Sequence, residues 1–213
     1  MILLHERASL AVDSEFRQYF DIGVSHILSA TAYDHILFIV ALCAFYRPQQ
    51  WRKLLILVTA FTIGHSVTLA LAAFDLIGLP PKLVETAIPV TIALTAANNI
   101  YFASRSNELS QQRVFSGKQS INYLTALFFG LVHGMGFAGS FRFLMGEEDS
   151  IVKQLLAFNL GVEAGQIVAV VVLMLVLYIL LRYLKVSFEK YILVVSGAAA
   201  GVAITLVINS LTQ

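Results

Sequence analysis

Ionisable side chains recur in this sequence inside apolar stretches long enough to cross a bilayer. Asp34, His35, His65, His133 and Glu163 each fall near the middle of such a stretch. A charged side chain at the centre of a bilayer costs about 2.5–3.5 kcal/mol on insertion scales, so these groups need partners or a function. Imidazoles and carboxylates without a thiolate suit Ni²⁺, Zn²⁺ or Co²⁺ better than Cu⁺, Mg²⁺ or Ca²⁺. We therefore predict that these residues share one intramembrane metal site.

The clearest local pattern is a polar stripe on the fifth apolar stretch. Asn159, Glu163 and Gln166 follow the i, i+4, i+7 spacing that places side chains on one face of a helix. Glu163 is the predicted ligand of this stripe. Asn159 and Gln166, together with Ser66 beside His65, are predicted to orient the ligands by hydrogen bonds.

Two further residues, His26 and Glu85, lie near the predicted outer ends of their apolar stretches. They suit an entry site or second site, or else interfacial positions that face water. His26 and His35 are about 900° apart on a straight helix and so lie on opposite faces. They can share a site only if the helix is kinked or unwound around Ser29 to Thr31.

The same polar groups are also compatible with a structural role. Asp34 could pair with one histidine and Glu163 with another, in a hydrogen-bonded network that fixes the packing of the helices. Asn98 and Asn99 are interpreted in this way, since buried asparagines commonly join membrane helices. The number of helices that contribute groups at similar depth favours the shared metal site.

Composition limits the class of protein. The chain has 213 residues, of which 58% are hydrophobic and 13% charged, and its mean hydropathy is +0.80. These values exclude an ordinary soluble domain and indicate a polytopic helical membrane protein. The net charge of +1 gives no indication of nucleic-acid binding. Cys43 is the single cysteine, so neither a disulfide nor a thiolate metal site is expected.

The elements that must position the polar groups are transmembrane helices. The sequence predicts an all-α fold in which residues 1–20 form a tail or an interfacial helix and residues 21–213 form one transmembrane domain. Six helices in one bundle are predicted, with spans at roughly 21–46, 54–74, 83–104, 121–144, 152–181 and 190–210.

The distribution of basic residues predicts the orientation. Nine of the 14 basic residues fall in the first, third and fifth connections: Arg47, Arg52, Lys53, Arg105, Arg113, Lys118, Arg182, Lys185 and Lys190. These connections should be cytoplasmic, with both termini outside the bacterial inner membrane. The acidic run Glu147, Glu148 and Asp149 then faces outward, where it would attract cations.

Several of these segments are also familiar. FTIGHSVTLALA, VETAIPVTIALTAANN, FGLVHGMGFAG and FNLGVEAGQ, with GVSHIL and YDHILFIVAL before them, resemble the HupE/UreJ family of small integral membrane proteins, over about 20–183. Members of that family are regarded as nickel, or in some cases cobalt, permeases. The resemblance implies a first-span metal motif and further pathway positions, which are His26, Asp34 and His35, then His65, His133 and Glu163. In the family the first histidine lies closer to the Asp-His pair than it does here.

The leading functional hypothesis is a permease or facilitator for nickel, cobalt or zinc, driven by the membrane potential or a proton, since no phosphate-binding loop motif is present. The alternative is an intramembrane zinc-dependent hydrolase acting on a lipid or membrane-embedded substrate. In that case Glu163 or Asp34 would be the general base, and Ser66 would orient the substrate. A third hypothesis is a metal sensor or chaperone partner.

The expected partners are a metal ion and the bilayer, with a homo-oligomer left open. The cytoplasmic half offers few polar groups beyond Asn98 and Asn99, which argues against transport.

Overall fold

The computed structural model describes residues 2–29, 33–105, 119–145 and 151–212, with side chains over 14–29, 33–104, 121–141, 143 and 151–212. Arg113, Lys118 and the acidic run at 147–149, which the orientation prediction uses, lie outside these ranges. The described chain folds into seven α-helices: α1 (Ile2–Leu28), α2 (Tyr33–Ala44), α3 (Trp51–Ala73), α4 (Pro81–Arg105), α5 (Gln119–Met145), α6 (Ile151–Arg182) and α7 (Phe188–Thr212). A single 3₁₀ turn, Pro48–Gln50, precedes α3.

The helices confirm the predicted all-α polytopic fold. Five of them, α3 to α7, are long and apolar enough to cross a membrane. The pair Ser14–Leu28 and Tyr33–Ala44 qualifies as a sixth span that is bent by 64° at a short break. The first span is therefore two helices rather than the single helix predicted at 21–46. The predicted boundary between residues 20 and 21 falls inside α1, which is continuous from Ile2 to Leu28.

Glycines let α1 lie directly against α6. A Cβ atom built on Gly23 would collide with the carbonyl oxygen of Phe158, and one on Gly161 would collide with that of Phe20. Each glycine thus lets the backbone of the other helix come close, a form of contact that is common between membrane helices. The contact holds the last turn of α1, which carries His26, beside α6.

A second glycine-mediated contact joins α3 to α5. A Cβ atom on Gly130 would collide with the carbonyl oxygen of Phe61, and one on Gly134 with that of His65. Gly64 has the reciprocal relation to the backbone of α5. The histidines of α3 and α5 are consequently held at a fixed spacing by backbone contact rather than by adjustable side chains.

The remaining helices, α4 and α7, pack against each other and against α2. α4 contains Pro89 without ending there. The Nδ2 group of Asn99 donates hydrogen bonds to the carbonyl of Ala41 at 2.7 Å and to the Oγ of Ser196 at 3.3 Å. Asn99 therefore joins α2, α4 and α7, in the helix-joining role predicted from the sequence.

Candidate metal centre

The break between α1 and α2 brings together side chains that a straight helix would separate. His26 lies in the last turn of α1, and Asp34 and His35 lie in the first turn of α2. The ring centroids of His26 and His35 are 4.5 Å apart. The bend supplies the kink that the sequence analysis required for these two histidines to share a site. Interrupted helices are a recurrent feature of ligand sites in membrane transporters.

A third imidazole comes from α3. One ring nitrogen from each of His26, His35 and His65 lies within 4.8 Å of the other two. The ring centroid of His65 is 5.8 Å from that of His26 and 5.9 Å from that of His35. We call these three residues the histidine trio. Among the residues that the structure describes, no other His, Cys, Asp or Glu joins this group at that separation.

The trio presents ring nitrogens that are buried and unpaired. Nε2 of His26, Nε2 of His35 and both ring nitrogens of His65 have no hydrogen-bond partner among the described residues. A buried polar group without a partner costs about 1–3 kcal/mol. Neutral imidazole nitrogens are good ligands for nickel, cobalt and zinc. The donor set therefore fits a divalent transition metal, whose coordination would remove that cost.

Asp34 orients one ring of the trio. The Nδ1 of His35 donates to the Oδ1 of Asp34 at 3.1 Å, and the backbone N–H of His35 donates to the same oxygen at 2.9 Å. A carboxylate on one nitrogen of a ligand histidine fixes the tautomer and makes the other nitrogen more basic. Asp34 thus leaves Nε2 of His35 as the nitrogen available to an ion.

His133 provides a fourth imidazole next to the trio. Its ring centroid is 5.3 Å from that of His35, and its side chain is fully buried. Its Nε2 lies 3.0 Å from the Oγ1 of Thr91, whereas its Nδ1 has no hydrogen-bond partner among the described residues. His133 therefore keeps one buried nitrogen without a hydrogen-bond partner next to the trio.

These groups open into a cavity of about 550 Å³, which we call the histidine cavity. Its lining includes His26, Asp34, His35 and His133 from the site, and Glu85, Asn209 and Ser210 from the ends of α4 and α7. The two residues predicted as an entry site, His26 and Glu85, therefore line one space. His26 in addition belongs to the trio.

The predicted stripe on α6 pairs with hydroxyl groups of α3. The Oγ1 of Thr59 donates to the Oε1 of Glu163 at 2.7 Å, and the Oγ1 of Thr62 donates to the Oε1 of Gln166 at the same distance. Glu163 is thus hydrogen-bonded to α3 and lies outside the trio. These two bonds join α3 to α6.

The other two residues predicted to orient ligands have different surroundings. The Oγ of Ser66 donates to the carbonyl of Thr62 at 2.7 Å, within its own helix. The Oδ1 of Asn159 is buried without a hydrogen-bond partner among the described residues. Neither Ser66 nor Asn159 is hydrogen-bonded to the trio among the described residues.

A comparison with known protein families identifies the family of this chain. The profile of the HupE / UreJ protein family matches residues 4–211 of the 213. The chain belongs to the HupE/UreJ family. Comparisons with curated proteins and with solved structures found no match. Membership of the HupE/UreJ family suggests a function related to nickel or cobalt transport, and a histidine cluster in a membrane protein agrees with it.

One polar partner in this HupE/UreJ protein escaped the sequence analysis. Thr91 bonds His133, yet it was not singled out because a threonine in an apolar helix is common. The signal lay in periodicity, since Thr91, Thr95 and Asn98 follow i, i+4, i+7 and share one face of α4. On α3, Thr59, Thr62 and Ser66 follow the related i, i+3, i+7 spacing.

Proposed function

We propose that this HupE/UreJ protein is a permease or facilitator for a divalent transition metal, with nickel the first choice and cobalt or zinc next. The observation that carries the proposal is the histidine trio, in which three helices direct buried, unpaired ring nitrogens toward one another. Among common ions, nickel, cobalt and zinc best match a donor set of imidazoles.

The trio is suited to an ion that must leave again. Metal–nitrogen bonds of about 2.1 Å place ligand nitrogens about 3.4 Å apart in a tetrahedral site. The trio nitrogens all lie within 4.8 Å of one another, so a short movement of the rings is enough to bring all three onto one ion. A conduction site must replace the water of an ion without holding it too tightly. Rings carried by two halves of a broken helix can make that adjustment.

The histidine cavity supplies a path to the trio. Glu85 is exposed at its rim, and its carboxylate would attract a hydrated cation. His26 and His35 line the same space and would replace the water molecules of the ion. Asp34 supports this step in two ways. Its contact with His35 holds that ring in place, and its carboxylate would partly balance the charge of the ion.

The hydrolase alternative needs a general base beside an open metal position. Two of the three groups suggested for that chemistry have other partners, since Glu163 bonds Thr59 and Ser66 bonds the backbone of its own helix. Asp34 lines the histidine cavity, but its Oδ1 accepts the hydrogen bonds of His35. These contacts favour transport over hydrolysis.

Two measurements on the purified protein test the proposal. Elemental analysis after gentle purification should find a bound transition metal, and proteoliposomes should accumulate Ni²⁺ down its gradient. His65→Ala should abolish both, because it removes one member of the trio. Thr68→Val is the matched control, since Thr68 is buried on the same helix one turn away and bears no ring nitrogen.

Each outcome has a distinct meaning. Bound metal together with flux that depends on His65 would support the permease. Tightly held metal in stoichiometric amount without flux would favour the hydrolase. No bound metal would indicate that the ionisable residues serve only to pack the helices.

A further inference from the structure

A second cavity shares three of its lining helices with the histidine cavity. Its volume is about 290 Å³, and we call it the vestibule. α2, α4 and α5 line both spaces, each with a different part of its length. The histidine cavity uses residues 33–35, 85–89 and 133–137, whereas the vestibule uses residues 42–46 at and just beyond the end of α2, 94–102 of α4 and 121–129 of α5. The two cavities therefore lie toward opposite ends of the bundle.

The two cavities are separated by aromatic rings. Phe38 stacks on Phe61 with ring centroids 4.8 Å apart, and its ring centroid is 6.1 Å from that of Phe129. Phe38 and Phe61 are each only 1% exposed. On one side both rings contact His133, at 5.0 and 5.1 Å, and on the other side Phe129 lines the vestibule. We call these three phenylalanines the aromatic layer.

A polar route on α4 runs past this layer. Thr91 bonds His133, and the Oγ1 of Thr95 donates to the carbonyl of Thr91 at 2.8 Å. Thr95 and Asn98 then line the vestibule. Hydroxyl and amide groups thus extend from the last histidine to the second cavity. This route adds Thr91 and Thr95 to Asn98, one of the few polar residues that the sequence analysis places in the cytoplasmic half.

The structure assigns a closed gate to the aromatic layer. Resting on the proposed transport function, we infer that the vestibule is the exit compartment for the metal ion. Apolar rings exclude the water that a divalent ion needs, so a layer of them blocks conduction until it is displaced. Phe38 belongs to α2, a helix of only 12 residues whose axis is bent by 64° from that of α1. Movement of Phe38 would let the ion pass from His133 to Thr95.

The ligand types of the vestibule suit release of an ion. The vestibule offers neutral oxygens and amides, from Thr95, Asn98 and Asn122 among others, in place of imidazoles. Transition metals bind such groups more weakly than imidazole nitrogen. An ion that enters the vestibule would therefore regain water and leave.

The gate is tested by downhill Ni²⁺ flux into proteoliposomes. Phe38→Ala should raise the flux several-fold while the amount of bound metal stays at the wild-type level, because the layer is opened and the trio is untouched. Phe38→Leu, which keeps much of the apolar volume, should give a smaller rise and serves if the alanine variant does not fold. Phe141→Ala is the matched control, since Phe141 is fully buried and lies outside the layer.

The route on α4 has its own test. Thr95→Val should lower the flux several-fold without changing the affinity for Ni²⁺, because it removes a hydroxyl from the vestibule and leaves the trio intact. Thr205→Val is the control, since Thr205 makes the same type of bond to the carbonyl four residues earlier and is exposed on α7. Equal flux in these two variants would overturn the route.

Access from the two sides of the membrane tests the arrangement of the cavities. In a Cys43→Ser background, Asn98→Cys and Asn209→Cys place thiols in the vestibule and the histidine cavity, respectively. A membrane-impermeant maleimide should label the two variants from opposite sides. Labelling from the same side would overturn the inference.

The results also separate the gate from the proposed function. Absence of wild-type flux would overturn the permease proposal, and the exit gate with it. Wild-type flux that Phe38→Ala and Phe38→Leu leave unchanged would overturn the gate alone. Flux that rises in both Phe38 variants and not in Phe141→Ala would support both.

Discussion

His26 and His35 are nine positions apart in the sequence, yet their ring centroids lie 4.5 Å apart across the break between α1 and α2. On a continuous helix the two side chains would point in opposite directions. The bend of 64° is therefore part of the site, because without it the histidine trio would lose one member. A site built across a break can also change when the two helices move, which suits the proposed permease because it would both bind and release an ion.

This relationship predicts a large role for His26. His26→Ala should weaken Ni²⁺ binding by more than about 100-fold, beyond the 10–100-fold typical of residues that only orient a ligand. Isothermal titration of the purified protein would measure it. Glu85→Ala is the comparison, since Glu85 lines the same cavity without belonging to the trio. Small and equal effects of the two variants would return His26 to the entry role suggested by the sequence.

Asp34 should act through His35. Asp34→Asn removes the charge while keeping the size of the side chain, so the ring of His35 would be held less firmly. We expect Ni²⁺ affinity to fall by about 10–100-fold with unchanged stoichiometry. Asp21→Asn is the matched control, because Asp21 is exposed and its carboxylate faces Arg17. A loss of more than about 100-fold in Asp34→Asn, as expected for His26→Ala, would indicate direct coordination by Asp34.

Much of the fold could be predicted because its cause is local. Apolar stretches of bilayer length give the spans directly, and the glycines beside His133 and Glu163 indicate close helix contacts. His35 and His65 could be selected for the site because an imidazole in an apolar helix needs an explanation that an adjacent leucine does not.

The rest depends on tertiary geometry. The sequence does not predict that His26 and His35 meet, because no proline or glycine between the two residues signals the break. The pairing of Glu163 with Thr59 depends on how α3 and α6 cross, which residue spacing within either helix does not contain. The aromatic layer was missed for a similar reason, since a phenylalanine in a membrane helix gives no signal of its own.

The contact between α3 and α5 predicts a steep dependence of stability on a single methyl group. Gly130→Ala should destabilise the protein by about 1–3 kcal/mol, the usual cost of overpacking, because the new Cβ meets the backbone at Phe61. Gly197→Ala makes the same change on α7 where no neighbouring atom lies within 4 Å, so it should be neutral or stabilising. Thermal unfolding in detergent would compare the two, and equal melting temperatures would contradict the close packing.

For Glu163, residue type and geometry lead to different predictions. A carboxylate in an apolar helix suggests a metal ligand, whereas its position in the structure suggests a hydrogen-bonding role. Its carboxylate accepts a hydrogen bond from Thr59 and lies outside the trio. Glu163→Gln retains an oxygen for Thr59, so Ni²⁺ affinity should stay near that of the wild type and of the control Asn209→Ala. Glu163→Leu should keep the affinity but lose about 0.6 kcal/mol of stability, and at most about 1.7, as for other hydrogen bonds between membrane helices.

The opposite result would be equally informative about the mechanism. If Glu163→Gln lost the metal as His65→Ala does, the carboxylate would have to leave Thr59 and join the ion in the bound state. That exchange would couple metal binding to the contact between α3 and α6. The Thr59–Glu163 bond joins these helices, as does the bond between Thr62 and Gln166. Titrating the stability of Thr59→Val with and without Ni²⁺ would then distinguish the cases, because a bond broken on binding contributes nothing to the stability of the metal-bound form.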